Sequence, residues 1–347
     1  MSMKVKDCFI FGTRPEIIKF APLILKMEEK PFLIHSGQHQ ELVDETLKIF
    51  RIEPDVNLKI LRESKSLAEI ISQVLKKTSR LFKIIKPKRV WVEGDTATAL
   101  AGALAASSQK IKLVHLEAGL RSFDKRNPFP EEIYRIAIDH LADILFAPTE
   151  HNAENLKREN VSGKIFTVGN TIVDSLKMIR PLIGRRRLKE KYLLVTVHRR
   201  ETWGKPMQEI FEALKIISKR IKIIFPCHPN PRIRKIARRV GLRVYPPFDY
   251  KTFLIYLSHC EFILTDSGGV QEEAPSFGKY VLVLRRKTER PELISAGFGR
   301  LVGWNKEWII QETMKTLKNL NEIRESLKNK GNPFGDGRTT ERILKLI

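Results

Sequence analysis

Glu261-Phe262-Ile263-Leu264-Thr265-Asp266-Ser267-Gly268-Gly269-Val270-Gln271-Glu272-Glu273-Ala274-Pro275 passes from a short apolar run, through a small polar turn, into a helical segment. An apolar run with no polar alternation is what a strand buried on both faces requires, and such strands belong to parallel sheets covered by helices. The same unit recurs along the chain. Strand-like runs fall near 5–11, 31–35, 90–93, 112–116, 144–147 and 165–167, then near 192–197, 221–225, 242–245, 261–265 and 280–284. Segments of helical length and periodicity lie at 15–29, 40–50, 66–86, 96–109, 131–142 and 172–180, then at 206–219, 230–239, 250–258, 269–275 and 306–318. This alternation predicts an α/β protein of doubly wound, Rossmann-like parallel sheets. Pro181 to Lys191, with Gly184 and Arg185-Arg186-Arg187, interrupts the pattern. The expected domains are therefore 1–180 and 181–338; that the amphipathic segment 339–347 packs back on the first is an expectation from analogy, not from spacing.

The length of 347 residues, 42% of them hydrophobic, supplies two cores. No run reads as a membrane span. Residues 1–7 lead straight into a strand with no signal-peptide pattern, so a cytoplasmic protein is expected. Cys8, Cys227 and Cys260 are scattered and read as small buried hydrophobes in a reducing compartment, and no Cys or His spacing suggests zinc. A net charge of +23 raises nucleic acid as a partner. The basic residues are spread along the chain, however, and the densest runs, 185–187 and 232–239, carry no interleaved aromatics to stack on bases. They read as solvated faces and a linker.

Ligands of doubly wound sheets bind beyond the carboxyl ends of the strands, so the residues there carry the functional argument. After the first strand come Gly12-Thr13-Arg14-Pro15-Glu16: a turn glycine, a Thr/Glu capping box and a proline suited to the first helical turn. Arg14 and Lys19 oppose the helix dipole, which no local argument explains and an anionic ligand does. Asp95, in Gly94-Asp95-Thr96, is either a site carboxylate or a helix N-cap. Glu117 leaves a buried strand, and Glu131-Glu132 opens a helix where one of the two acids serves the dipole. His198, between a strand and two arginines, resists protonation; it is a neutral acceptor, a poised acid/base, or a turn histidine. In 265–269, glycines and helix-start N–H groups, with the Ser267 hydroxyl, suit phosphate oxygens. Glu273 suits a ribose and Arg290 lies beyond the next strand, so the set points to a nucleoside diphosphate. There is no Walker lysine motif and no Gly-x-Gly-x-x-Gly, which argues against ATP hydrolysis and NAD binding.

Several blocks carry a family likeness. Gly12 to Lys19, Glu93 to Thr96, His115 to Arg121, Pro130 to Glu132, Val168 to Asn170, His198 to Glu201, Asp266 to Ser276 and Thr288 to Glu292 resemble, in order and along nearly the whole chain, the non-hydrolysing UDP-N-acetylglucosamine 2-epimerases. The resemblance implies the GT-B fold, with two Rossmann-like domains facing across a cleft. It implies inversion at C2 of UDP-N-acetylglucosamine by elimination of UDP, through 2-acetamidoglucal, and re-addition. It further implies acid/base roles for Asp95, Glu117 and Glu131, with His198 near the diphosphate. Ser267, Gly268 and Gly269 would hold phosphate, Glu273 the ribose, Arg14 the diphosphate, and Arg290 would lie near the phosphate or sugar. Phe253 is the candidate for stacking on uracil. No metal or redox cofactor is implied, and the family suggests a homodimer. Gln38 and His228 fit a second, allosteric substrate site, although Asp44-Glu45 and Pro229 depart from that pattern, and Val197 replaces a common glycine.

Three rivals stand beside this reading. A relative acting on a 2,3-diacetamido UDP-sugar or its uronic acid would carry the same blocks, and the basic charge suits a carboxylated sugar. A GT-B glycosyltransferase would share the nucleotide loop but has no need of three carboxylates at strand ends. A nucleic-acid-binding protein would show steeply salt-dependent binding.

Overall fold

The computed structural model describes residues 5–60, 66–184, 190–227 and 231–347. Chain contacts divide it into one unit made of Met1–Met178 with Phe334–Ile347 and another made of Ile179–Pro333.

In the first unit the strands are β1 (Asp7–Phe11), β2 (Phe32–His35), β3 (Val56–Asn57), β4 (Arg89–Glu93), β5 (Lys112–Leu116), β6 (Ile144–Ala147) and β7 (Lys164–Thr167). They pair in parallel in the order β3-β2-β1-β4-β5-β6-β7. The crossovers are α1 (Arg14–Lys26), α2 (Gln40–Phe50), α3 (Leu67–Ile85), α4 (Ala97–Ser108), α5 (Glu131–Leu141) and α6 (Glu150–Arg158), followed by α7 (Thr171–Ile183). The apolar runs predicted this: β1 is buried at all five positions and β4 at its last four. At the sheet's centre Phe9 stacks on Trp91, ring centroids 5.0 Å apart. The Trp91 indole N–H donates to Asp7, which also takes two bonds from Arg89, so the buried polar tip is satisfied.

The second unit holds β8 (Tyr192–Thr196), β9 (Lys222–Ile224), β10 (Ile263–Thr265), β11 (Val281–Val283) and β12 (Gly299–Leu301), parallel in the order β12-β11-β10-β8-β9. Its helices are α8 (Lys205–Ile217), α9 (Pro231–Val240), α10 (Tyr250–His259), α11 (Gly268–Glu273), α12 (Pro291–Ser295), α13 (Lys306–Lys318) and α14 (Leu320–Leu327). The strand expected at 242–245 is a correction: it is reduced to one bridge, Tyr245 to Pro226. Two backbone bonds form there, Tyr245 N–H to Phe225 O and Cys227 N–H to Tyr245 O. Pro226 on one side and Pro246-Pro247 on the other lack the N–H groups to extend the ladder. Five elements not foreseen, β3, β12, α6, α12 and α14, are short or poor in apolar residues.

The last helix, α15 (Thr339–Leu344), belongs to the first unit. The N–H groups of Thr339 and Thr340 donate to the Asp174 carboxylate of α7 at 3.3 and 2.9 Å, and Phe334 O accepts from Asn170 N–H at 2.7 Å. Among the described residues no helix is long and apolar enough to cross a membrane.

Candidate active site

Strand order reverses between β1 and β4 in the first sheet and between β8 and β10 in the second. These are the topological switch points where such sheets open a crevice for ligands. Of the segments singled out by sequence, Gly12 to Lys19 and Gly94 to Thr96 follow β1 and β4, His198 to Glu201 and Ser267 to Gly269 follow β8 and β10, and Glu117 and Arg290 follow the next strands, β5 and β11.

At the end of β1, crowding rather than a turn demands glycine. A Cβ on Gly12 would lie 2.2 Å from Ser36 Oγ and 2.4 Å from Thr98 Oγ1. The N–H groups of Gly12 and Thr13 donate to the Glu16 carboxylate at 3.0 and 2.7 Å, which also accepts from Thr96 Oγ1 at 2.8 Å. Burial nevertheless pushes the Glu16 carboxyl up to about 7, against the pull of those donors. Arg14 opens α1, half-buried. The argument that nothing local accounts for Lys19 is corrected: the residue is 4% exposed, and its ammonium lies 3.1 Å from Glu93 Oε1 and bonds Glu117 Oε2. Sequence reasoning could not see a partner 98 positions away.

Glu117 follows β5 with a φ of 68°, a left-handed conformation unusual for a residue with a side chain. The turn is held from below. Asp139, fully buried on α5, receives Gly119 N–H at 3.2 Å and contacts Arg121 at 2.7 Å and His115 Nδ1 at 2.6 Å. Burial alone would raise the Asp139 carboxyl, but His115 and then Arg121 hold it below its ordinary range. Glu117 Oε2 also accepts from Asn170 Nδ2 at 2.9 Å.

The open question at Asp95 is resolved against capping. Thr96 is the N-cap of α4, its hydroxyl accepting from Ala99 N–H at 2.9 Å. Asp95 instead pairs with Arg135, whose other arm reaches Glu132 Oε2 at 3.0 Å. The two acids that open α5 divide the work. Glu132 is fully buried and accepts from the N–H groups of Ser122 and Phe123, both at 2.9 Å, whereas Glu131 is half-buried at the first helical position. Asp95 and Glu117 therefore leave neighbouring strands, β4 and β5, and Glu131 starts the helix that crosses from β5.

In the second unit the fully buried Asp266 clamps the switch point. Its carboxylate receives the N–H groups of His198 and Arg199, each at 2.9 Å, and His198 Nδ1 lies 3.5 Å away. The sequence argument at His198 had weighed two arginines and not this acid. Ser267 is the N-cap of α11 without a side-chain cap bond, and its N–H donates to Thr265 Oγ1 at 2.9 Å. A Cβ on Gly268 would meet the Arg290 guanidinium at 2.6 Å, while at Gly269 nothing lies within 4 Å. Arg290 is held by Glu272 at 2.6 Å and by Glu289, and Glu289 also receives Arg285, which bonds Glu201 at 2.7 Å. These arginines are nearly buried, so removing either partner of a pair would strand a charge. Glu273 ends α11 buried and accepts from Tyr250 OH at 2.8 Å; Phe253 is buried on the same helix as Tyr250.

Gln38, half-buried, accepts from Thr98 Oγ1 at 2.8 Å at the end of β2. His228 lies outside the described residues. The sequence missed Asp266, Glu93, Asp139 and Arg285 as supporting groups. Acids at strand ends were a signal for the first two; nothing marked Asp139 or Arg285, whose partners lie in other elements.

The family model for UDP-N-acetylglucosamine 2-epimerase matches residues 25–347. The chain is similar to the UDP-N-acetylglucosamine 2-epimerase of Escherichia coli K12, 41% identical over 370 aligned positions covering 99% of this chain and 98% of the relative. It is also similar to the Neisseria meningitidis enzyme solved with UDP-GlcNAc, with a TM-score of 0.91 at 36% identity, covering 98% of this chain and 99% of that one. The Methanocaldococcus jannaschii enzyme, solved with UDP-GlcNAc and UDP, gives a TM-score of 0.88 at 37% identity over the same shares. With carboxylates at one switch point, a glycine-rich helix start at the other and likeness over its whole length, this chain belongs to the UDP-N-acetylglucosamine 2-epimerase family.

Proposed function

We propose that the chain inverts C2 of UDP-N-acetylglucosamine, interconverting it with UDP-N-acetylmannosamine. The observation that carries this reading is the set of three carboxylates at the ends of two neighbouring strands and the start of the helix that follows, Asp95 after β4, Glu117 after β5 and Glu131 opening α5, in a chain of this family. Inversion at a carbon bearing a weakly acidic proton needs one group to remove that proton and another to return one on the opposite face. Loss of the C2 proton as UDP leaves C1 gives 2-acetamidoglucal; protonation on the other face and return of UDP complete the cycle. Asp95, Glu117 and Glu131 are the acid/base candidates.

The departing diphosphate needs fixed donors. Gly268 and Gly269 at the start of α11 supply N–H groups and Ser267 its hydroxyl, and His198 is carried on the turn held by Asp266. Arg14, Lys19 and Arg290 are the cationic candidates, Lys19 acting through its bond to Glu117. Glu273, oriented by Tyr250, suits the ribose, and Phe253 the uracil. Gln38 and His228 are the candidates for a second substrate position. The same reading takes the protein as a cytoplasmic homodimer; its buried cysteines are free thiols, in keeping with a reducing compartment.

Proton NMR of the purified protein with UDP-N-acetylglucosamine in deuterated water tests the proposal. UDP-N-acetylmannosamine carrying deuterium at C2 is the expected product. UDP binding with neither product nor exchange refutes it.

A further inference from the structure

Two carboxylates in the first unit share one ammonium. Glu93, Lys19 and Glu117 are 2%, 4% and 8% exposed. The register places Glu93, the last residue of β4, beside Leu116, the residue before Glu117, so the two acids leave adjacent strand ends together. Lys19 spans them, 3.1 Å from Glu93 Oε1 and bonded to Glu117 Oε2. The charged groups facing Glu93 are Lys19 and Glu16 from α1 and Glu117 from the turn after β5. Asn170, at the start of α7, contributes a neutral donor to Glu117. Glu16 is turned to the N–H groups of Gly12 and Thr13 and to the Thr96 hydroxyl. Lys19 brings one positive charge to the two buried acids it joins, so a proton stays with the cluster. Burial, the largest influence, pushes the Glu93 carboxyl well above its ordinary range, in agreement with that balance.

We propose that Glu93 is a positioning residue for Glu117: the two hold one proton between them across Lys19, so that Glu117 is a base while the proton rests on Glu93 and an acid once it has crossed. In the crossing the Glu93 O–H bond breaks and its proton joins the Lys19 nitrogen, while one ammonium hydrogen passes to a Glu117 oxygen. Lys19 ends with three hydrogens, as it began, and the total charge is unchanged. Such a pair titrates as a unit, with well-separated apparent values, which gives a broad pH range of activity. The proposal rests on the 2-epimerase reading, in which Glu117 handles the C2 proton.

Glu93→Gln keeps the size and the contact with Lys19 but can neither hold nor release the proton. It is expected to lower kcat at pH 7.5 by about tenfold or more, the scale of acid/base assistance, with KM changed by less than about twofold. The acid limb of its kcat–pH profile should move to lower pH, because Glu117 then has Lys19 to itself, and Glu93→Asp should restore part of the parent profile. A Glu93→Gln profile superimposable on the parent's overturns the proposal. A readout independent of turnover is infrared spectroscopy of the parent labelled with carbon-13 at glutamate carboxyls. A protonated carboxyl band persisting above pH 8, where Glu16 has ionised, is expected; its absence overturns the shared proton. If the parent binds UDP but does not epimerise, the functional reading fails, and the infrared result still decides the proton sharing.

Discussion

Replacing Glu16 by Gln should make the protein more stable, and increasingly so as pH rises. The Glu16 carboxyl is fully enclosed and its value is raised from the ordinary 4.5 to about 7, chiefly by burial. Because the folded-state value is the higher, the group's contribution to stability is fully present below pH 4.5 and is lost as pH climbs through 7. The displacement corresponds to roughly 3 kcal/mol in all, of which roughly 2 kcal/mol falls between pH 5 and pH 7.5. Glutamine can still accept the N–H groups of Gly12 and Thr13 and can donate to Thr96 Oγ1, so the substitution removes the ionisation and leaves the contacts. Urea unfolding of the parent and Glu16→Gln side by side, at pH 5 and pH 7.5, measures the difference directly. The advantage of the variant should widen by roughly 2 kcal/mol over that interval. A constant difference at both pH values would refute the argument.

Four further outcomes follow from the geometry. Asp266→Ala removes the acceptor for the N–H groups of His198 and Arg199; it should cost about 2–4 kcal/mol and weaken UDP binding about tenfold or more, read by denaturation and calorimetric titration. Gly268→Ala drives a methyl into the Arg290 guanidinium, already held by Glu272 and Glu289, so its melting temperature should fall by several degrees, about what 1–3 kcal/mol of overpacking produces. Gly269→Ala, with nothing within 4 Å, should melt within about 2 °C of the parent, since surface substitutions usually stay within about 0.5 kcal/mol. Glu117→Gln should lower kcat by about 10²–10⁴ while UDP affinity, measured by calorimetry, stays within about threefold.

The parts of the fold legible in sequence are those buried on both faces. Tyr192-Leu193-Leu194-Val195 is apolar because helices cover both sides of β8, and burial is nearly complete there. Val56-Asn57 and Gly299-Arg300-Leu301 were missed because they are edge strands, two and three residues long, and carry no apolar run. Helix α6, Glu150 to Arg158, owes its start to the Thr149 cap and shows almost no hydrophobic stripe. In the site, positions at strand ends were readable but partners were not. Whether Asp95 capped α4 depended on Thr96 taking that place, and whether Lys19 needed a ligand depended on Glu93 and Glu117 standing beside it. Such pairings are set by strand order, which periodicity does not encode.

The return of residues 334–347 to the first unit bears on how the molecule is made. Every strand of the first sheet leaves the ribosome before the second unit does. Yet Asn170, which donates to Glu117, receives its backbone partner only when Phe334 has been synthesised, and Asp174 waits longer for Thr339 and Thr340. Translation order therefore withholds the finished Glu117 environment until the closing segment has emerged, and a chain released early would carry the strands of the first sheet with that environment incomplete.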